Sequence, residues 1–386
     1  MSIETWNLYS KIQPRQSAVA DALPEKVRTD RGDFKFDWQT ITHGPGAGVE
    51  LLTVSGARAG FILIPTRGMG IWMAWCDGVE FGWNSPISGP IHPAYVPIND
   101  ATGIGWLEGF DELLCRCGLE SNGAPEFTKQ GQVRWPLHGR VANLPAQNLR
   151  VSIDTQTGEL EVIGVVRESR LFFANLELQS TLKFRVDDCV LRIEDCVSNR
   201  SARPATHQLL YHINVSKPIV GAGGRLEVSA SDVAPRNKRA QESIDAWDVN
   251  QSPEVGYAEQ VYFFKPNADA SGWARAGVFA PDRQSCMGVT YNTKTLPCFT
   301  HWRNTAAEAD GYVVGLEPAT NFPNSRSFEE KHGRVVQLPP GESVTHQLEL
   351  HLLASALEAA KFSDEIKALG SQPKIHPEPL KDWSSD

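Results

Sequence analysis

Leu176-Glu177-Leu178-Gln179-Ser180-Thr181-Leu182-Lys183-Phe184-Arg185-Val186 alternates apolar and polar side chains over most of its length. After Asp187-Asp188, the run Val190-Leu191-Arg192-Ile193-Glu194-Asp195-Cys196-Val197 continues that alternation in part. A period of two marks a strand with one buried face, because successive side chains point to opposite sides of a pleated chain. Two such runs joined by a short acidic turn predict a hairpin. Working outward, similar runs lie at 158–166, 207–215, 260–265, 311–316 and 343–353. Between them, 25 Pro and 32 Gly break the chain at short intervals, as turns between strands require.

Helical periodicity is convincing only at 354–369, where Ala359, Phe362, Ile366 and Leu369 form one apolar stripe and Gly370 supplies a stop. Leu357 falls off the stripe. Many short strands, little helix and no linker-like break predict an all-β fold, one large β-sandwich formed by a single domain over 1–386. Within it, 1–40 is expected to be an N-terminal arm or short helix, 41–353 the sandwich core, and 354–386 the helix with a tail trailing over the surface.

Composition narrows the function. The 386 residues are 41% hydrophobic and 22% charged, with a formal net charge of -9 and no long basic run. Nucleic acid is excluded as a partner, since phosphate binding needs clustered Lys and Arg. No segment approaches the roughly 18 apolar residues that would span a bilayer, and the first residues lack a signal-peptide core. No membrane association and a cytoplasmic location are therefore expected. The seven cysteines are read as reduced, mostly buried thiols, and no ligand spacing for a metal is found. No cofactor is expected.

Three constellations could carry chemistry. In Trp135-Pro136-Leu137-His138-Gly139-Arg140, a His followed by Gly in a Pro-bounded loop either aims an imidazole or is satisfied by backbone hydrogen bonds. In Leu209-Leu210-Tyr211-His212-Ile213-Asn214-Val215, alternation places Leu210, His212 and Asn214 on one face, lining a cleft or facing solvent. His207 is read as a surface residue. In Val313-Val314-Gly315-Leu316-Glu317-Pro318, Glu317 closes an apolar strand, where burial could tune it as a general base or solvent could simply surround it. Arg116, among Glu108, Glu112 and aromatic residues, could clamp a ligand or pair with either acid. Trp72, Trp75, Trp83, Trp106, Trp135 and Trp302 could stack on sugar rings or belong to the core.

The ordered set Thr66-Arg67-Gly68-Met69, Gly89-Pro90-Ile91-His92-Pro93-Ala94, Cys117-Gly118-Leu119, Leu137-His138-Gly139-Arg140, Leu210-Tyr211-His212-Ile213-Asn214 and Leu316-Glu317-Pro318-Ala319-Thr320-Asn321 resembles the aldose 1-epimerase (galactose mutarotase-like) superfamily. More closely, it resembles a mutarotase-like branch of unknown function. The resemblance runs from about residue 45 to about residue 355. It implies a β-supersandwich that binds a small-molecule sugar without a cofactor or metal and interconverts its anomers. By position, Glu317 matches the base that takes the anomeric proton, His212 the acid that protonates the ring oxygen, and His138 the supporting His. Arg67, Arg116, Asn214, Asn321 and Arg140 are the implied substrate-binding residues.

Two departures accompany the resemblance. Arg140 follows Gly139 where the family usually has a second Gly. The substrate-binding Asp is unplaced, with Asp245 and Asp248 as candidates. The alternatives to anomer exchange are another sugar isomerase, epimerase or lyase acting on a modified or acidic sugar, and a sugar-binding protein without turnover. The arm and helix could cap sheet edges or build a homodimer interface.

Overall fold

The computed structural model describes residues 2–9 and 21–385. Among these residues, two large sheets of nine and 14 strands face each other, and all but one of their strand pairings are antiparallel. The centre of the smaller sheet runs Asn148–Asp154, Glu159–Ser169, Asn175–Arg185, Val190–Asn199 and Ser343–Leu353. The centre of the larger runs Gly70–Cys76, Leu114–Leu119, Ala205–Val215, Val313–Ala319, Cys298–Asn304 and Gln260–Pro266. The expected hairpin is present, with Phe184 opposite Leu191 and Leu176 opposite Asn199.

Alternation builds the core. Leu178, Leu182, Phe184, Leu191 and Val197 enter it from the smaller sheet, and Ile71, Leu209, Tyr211, Ile213 and Leu316 meet them from the larger. Asp195 occupies one of these inward positions and is fully buried. It is held by Arg116 of the opposite sheet, whose Nη2 donates to Asp195 Oδ1 at 3.2 Å. Tyr211 donates to the same carboxylate at 3.0 Å, and Arg116 Nη2 also reaches Ser180 Oγ at 2.9 Å. A buried charge survives only when paired and hydrogen-bonded, and this cluster meets both conditions.

Four expectations need correction. Residues 1–40 are not a separate arm where described: Ile3–Tyr9 pairs with Asn148–Asp154, and Lys26–Thr29 and Gly32–Thr40 extend the larger sheet. The tail does not simply trail over the surface. Lys374–Ile375 adds a short parallel strand beside Ala230–Pro235, and Trp383 packs against Phe322. Cys76 and Cys189 form a disulfide between the larger sheet and the turn before Val190–Asn199, while the other five cysteines are free. His207 is fully buried, with its Nε2 3.0 Å from His346 Nε2.

The helix spans Ala356–Ala368 and buries Ala359, Phe362 and Ile366 against Phe279 and Cys286 of the smaller sheet. Leu357 is exposed, as its position off the stripe implies. Ser355 caps the helix by accepting from the Glu358 amide at 3.3 Å and donating to its carboxylate at 2.8 Å. Gly370 follows the helix at φ +90°, a left-handed position suited to glycine. Among the described residues, no helix is long and apolar enough to cross a membrane.

Candidate functional site

The larger sheet brings two candidate side chains together through register. Ala205–Val215 pairs with Val313–Ala319, placing Asn214 opposite Gly315 and Ile213 opposite Leu316. Leu209, Tyr211, Ile213 and Val215 point into the core, so Leu210, His212 and Asn214 face the other way, as alternation predicts. On the neighbouring strand, Val314 and Leu316 are core residues and Glu317 shares the outward face with Gly315. His212 Nε2 lies 3.3 Å from Glu317 Oε1. Gly315 makes that approach feasible, because a Cβ there would meet Glu317 Oε1 at 2.9 Å and His212 Cε1 at 3.1 Å.

The protons on this pair can be assigned from its neighbours. Asn214 Nδ2 donates to the Glu112 carbonyl at 2.9 Å, which turns Oδ1 towards His212 Nδ1 at 2.6 Å. The neutral imidazole therefore carries its proton on Nδ1 and presents the Nε2 lone pair to Glu317. Both side chains are almost wholly buried. Burial pushes Glu317 up to about 8, partly countered by the His138 charge. Burial, together with His138, pushes His212 down to about 3, against the Asn214 hydrogen bond. The carboxyl thus holds a proton more tightly than the imidazole, the reverse of the ordinary order of these groups.

His138 reaches the same place from a loop at φ +57°. Its Nδ1 donates to the Asn122 carbonyl at 2.9 Å, and its ring lies 5.5 Å from that of His212. The backbone-satisfied and site-directed readings therefore hold together. Burial opposes charge on His138, but Cys117 and the Asn122 carbonyl outweigh it and raise the imidazole to about 9. For Cys117, burial is outweighed by a hydrogen bond from Cys115 and by His138, which hold the thiol down to about 6.

These three residues border a cavity of about 300 Å³. Trp106, Phe110 and Trp302 enclose the His212 ring, with centroids 6.4, 4.9 and 5.3 Å away. The buried Trp106 indole N–H has no hydrogen-bond partner among the described residues. Two charged residues not anticipated from sequence also reach the cavity: Arg236, after the strand Ala230–Pro235, and Glu259, before Gln260–Pro266. Glu259 accepts from Trp302 Nε1 at 2.6 Å. Neither stands in a local motif; only the strand order brings them here.

The implied substrate-binding residues are placed differently. Arg67 is buried and committed to Glu112 at 2.6 Å, Asn143 at 2.9 Å, and the carbonyls of Ile91 and Gly109. Arg116 belongs to the Asp195 cluster between the sheets, on the strand face opposite Cys115 and Cys117, and not to Glu108 or Glu112. Arg140 borders a separate cleft with Glu120, Glu168 and Arg170. Asn214 orients His212. Asn321 exchanges amide hydrogen bonds with Asn122 at 2.9 and 3.0 Å, and so steadies the residue whose carbonyl holds His138. Asp248 pairs with Arg225, and neither it nor Asp245 lines the cavity.

Known structures show the same architecture. A provisionally assigned aldose 1-epimerase from Klebsiella pneumoniae is 28% identical over 98% of this chain and 99% of its own, with a TM-score of 0.91. A galactose mutarotase-like protein from Clostridium acetobutylicum is 13% identical, with coverage of 83% and 99% and a TM-score of 0.58, and so shares the fold. No curated protein sequence matches the chain. The two-sheet architecture is thus the galactose mutarotase-like supersandwich. With residues 46–352 matched by its family model, the chain belongs to the family described as a domain of unknown function, DUF4432.

Proposed function

We propose that the protein is an aldose 1-epimerase-like isomerase that interconverts the anomers of a reducing sugar. The observation that carries this reading is the His212–Glu317 contact of 3.3 Å inside an aromatic-lined cavity. Anomer exchange requires one group to accept the anomeric proton and another to protonate the ring oxygen. Glu317 and His212 hold one mobile proton between them. Its passage from Glu317 to His212 Nε2 generates the carboxylate base and imidazolium acid together, with no change in net charge. The carboxylate removes the anomeric hydroxyl proton, and the imidazolium protonates the ring oxygen as the C1–O5 bond opens. Rotation about C1–C2 and reclosure by the reverse transfers give the other anomer. His138 stabilises negative charge as it develops on oxygen.

Saturation-transfer NMR of anomer exchange tests this on neutral hexoses, pentoses, uronates and sugar phosphates, with wild type and Glu317→Gln side by side. The expected result is acceleration that falls by about 10²–10⁴-fold in the variant. No acceleration on any sugar, or equal rates in both proteins, would refute the proposal. A lyase or other isomerase acting on an acidic sugar is the second reading, favoured by Arg236 on the cavity wall. A uronate or sugar phosphate outcompeting neutral hexoses would select it.

A further inference from the structure

The cavity holds its acid and imidazole groups at the floor, and one side of its rim is apolar, facing Glu259 and Arg236 on the other. Glu317 and His212 are 2% and 4% exposed, whereas Ile104 and Leu107 at the rim are 45% and 44% exposed. Both aliphatic side chains sit on or beside the turn Gly105–Gly109, and Pro125 of the neighbouring loop joins them. The turn is pinned at both ends. The Leu137 amide donates to the Gly103 carbonyl at 2.8 Å, the Gly105 amide to Asp100 at 3.0 Å, and Arg67 to the Gly109 carbonyl. The exposed rim is therefore a shape held in advance of binding.

We propose that the substrate is a reducing sugar with an apolar edge, a deoxy or O-methyl sugar. Its methyl group lies against Ile104 and Leu107 while its hemiacetal faces Glu317 and His212. This inference rests on the reading of Glu317 and His212 as the acid–base pair for the hemiacetal. A hydroxyl pressed on Ile104 and Leu107 loses water and gains no partner. A methyl group at the same place removes apolar surface from water on both sides of the contact. The polar groups that a sugar's remaining hydroxyls need are deeper, at His138, or across the cavity at Glu259 and Arg236.

Matched sugars that differ by one such group provide the test: D-fucose with D-galactose, L-rhamnose with L-mannose, and 3-O-methylglucose with glucose. Anomer-exchange kcat/KM is measured for wild type, Ile104→Ser and Leu107→Ser, whose changes lie at exposed positions. The expected result is a preference of at least about ten-fold, equivalent to 1.4 kcal/mol, for the apolar member of at least one pair. That preference should fall several-fold in either variant. Equal or reversed preference in every pair, or a preference unchanged by both substitutions, overturns the proposal. If no sugar is accelerated, the isomerase reading fails, and quenching of tryptophan fluorescence on titration decides the substrate class separately. Tighter binding of an apolar member, lost in Leu107→Ser, supports the class, and equal binding or none overturns it.

Discussion

Lowering the pH from 7.5 to 5.0 acts on a pair of histidines that the sandwich holds between its sheets. His346 comes from the smaller sheet and His207 from the larger; both are fully buried, with their Nε2 atoms 3.0 Å apart. His207 Nδ1 donates to the Leu119 carbonyl at 3.2 Å, so its Nε2 is an acceptor and His346 supplies the shared proton. Burial pushes His346 down to about 4, partly opposed by Asp195. Burial, His346 and the Arg326 charge hold His207 well below its ordinary value, against the Leu119 hydrogen bond.

A depressed histidine pKa means that the unfolded chain binds the proton first. The stability contribution is therefore intact above the unfolded value of about 6.5 and is lost as pH falls towards 4. At pH 5.0 the loss from His346 alone is about 2 kcal/mol, against typical total stabilities of about 5–15 kcal/mol. Urea unfolding at pH 7.5, 6.0 and 5.0 measures it in wild type and His346→Gln, each compared with itself across pH. Wild type should lose about 2 kcal/mol more than the variant between the first and last conditions. Parallel losses would show that His346 is not a buried neutral group and refute the reasoning.

Two further outcomes are expected. Arg116→Met leaves the Asp195 carboxylate buried without its cation, and thermal unfolding should show a loss of about 3–5 kcal/mol; adding Asp195→Asn should recover much of it. Gly315→Ala places a Cβ against Glu317 and His212, so anomer exchange should drop at least ten-fold with little change in melting temperature, and an unchanged rate would show that their close approach is not needed.

Much of this arrangement could be read from sequence, for an identifiable reason. Strand parity is local, so it put Tyr211 and Ile213 inward and His212 outward, and the hairpin at 176–197 followed from the same rule. What sequence lacks is the pairing of distant segments. An arginine that clamps a ligand and one that clamps a core carboxylate look alike until the opposite sheet is known, which is why Arg67 and Arg116 resemble binding residues. A trace was present at Asp195, which shares parity with Leu191, Ile193 and Val197 and so demands a buried partner. The Cys76–Cys189 bridge joins residues 113 apart and leaves no local sign. Ile3–Tyr9 shows no clear period because most of its side chains are exposed, and the two-residue strand Lys374–Ile375 is too short to have one.

The position of the cavity also bears on how the molecule can change. Among the described residues, no side chain that lines it stands on the nine strands of the smaller sheet; the lining comes from the larger sheet and from loops, with Leu137 and His138 on the connection that leads to Asn148–Asp154. The smaller sheet is a foundation: it supplies half of the core and seats the C-terminal helix. Its outward positions can accept changes for solubility, attachment or partner choice while the substrate-facing surface keeps its shape. The loops over the larger sheet can in turn be reshaped for a different sugar without disturbing the foundation. Evolution and protein engineers therefore have two separate surfaces to work on, one for chemistry and one for cellular context.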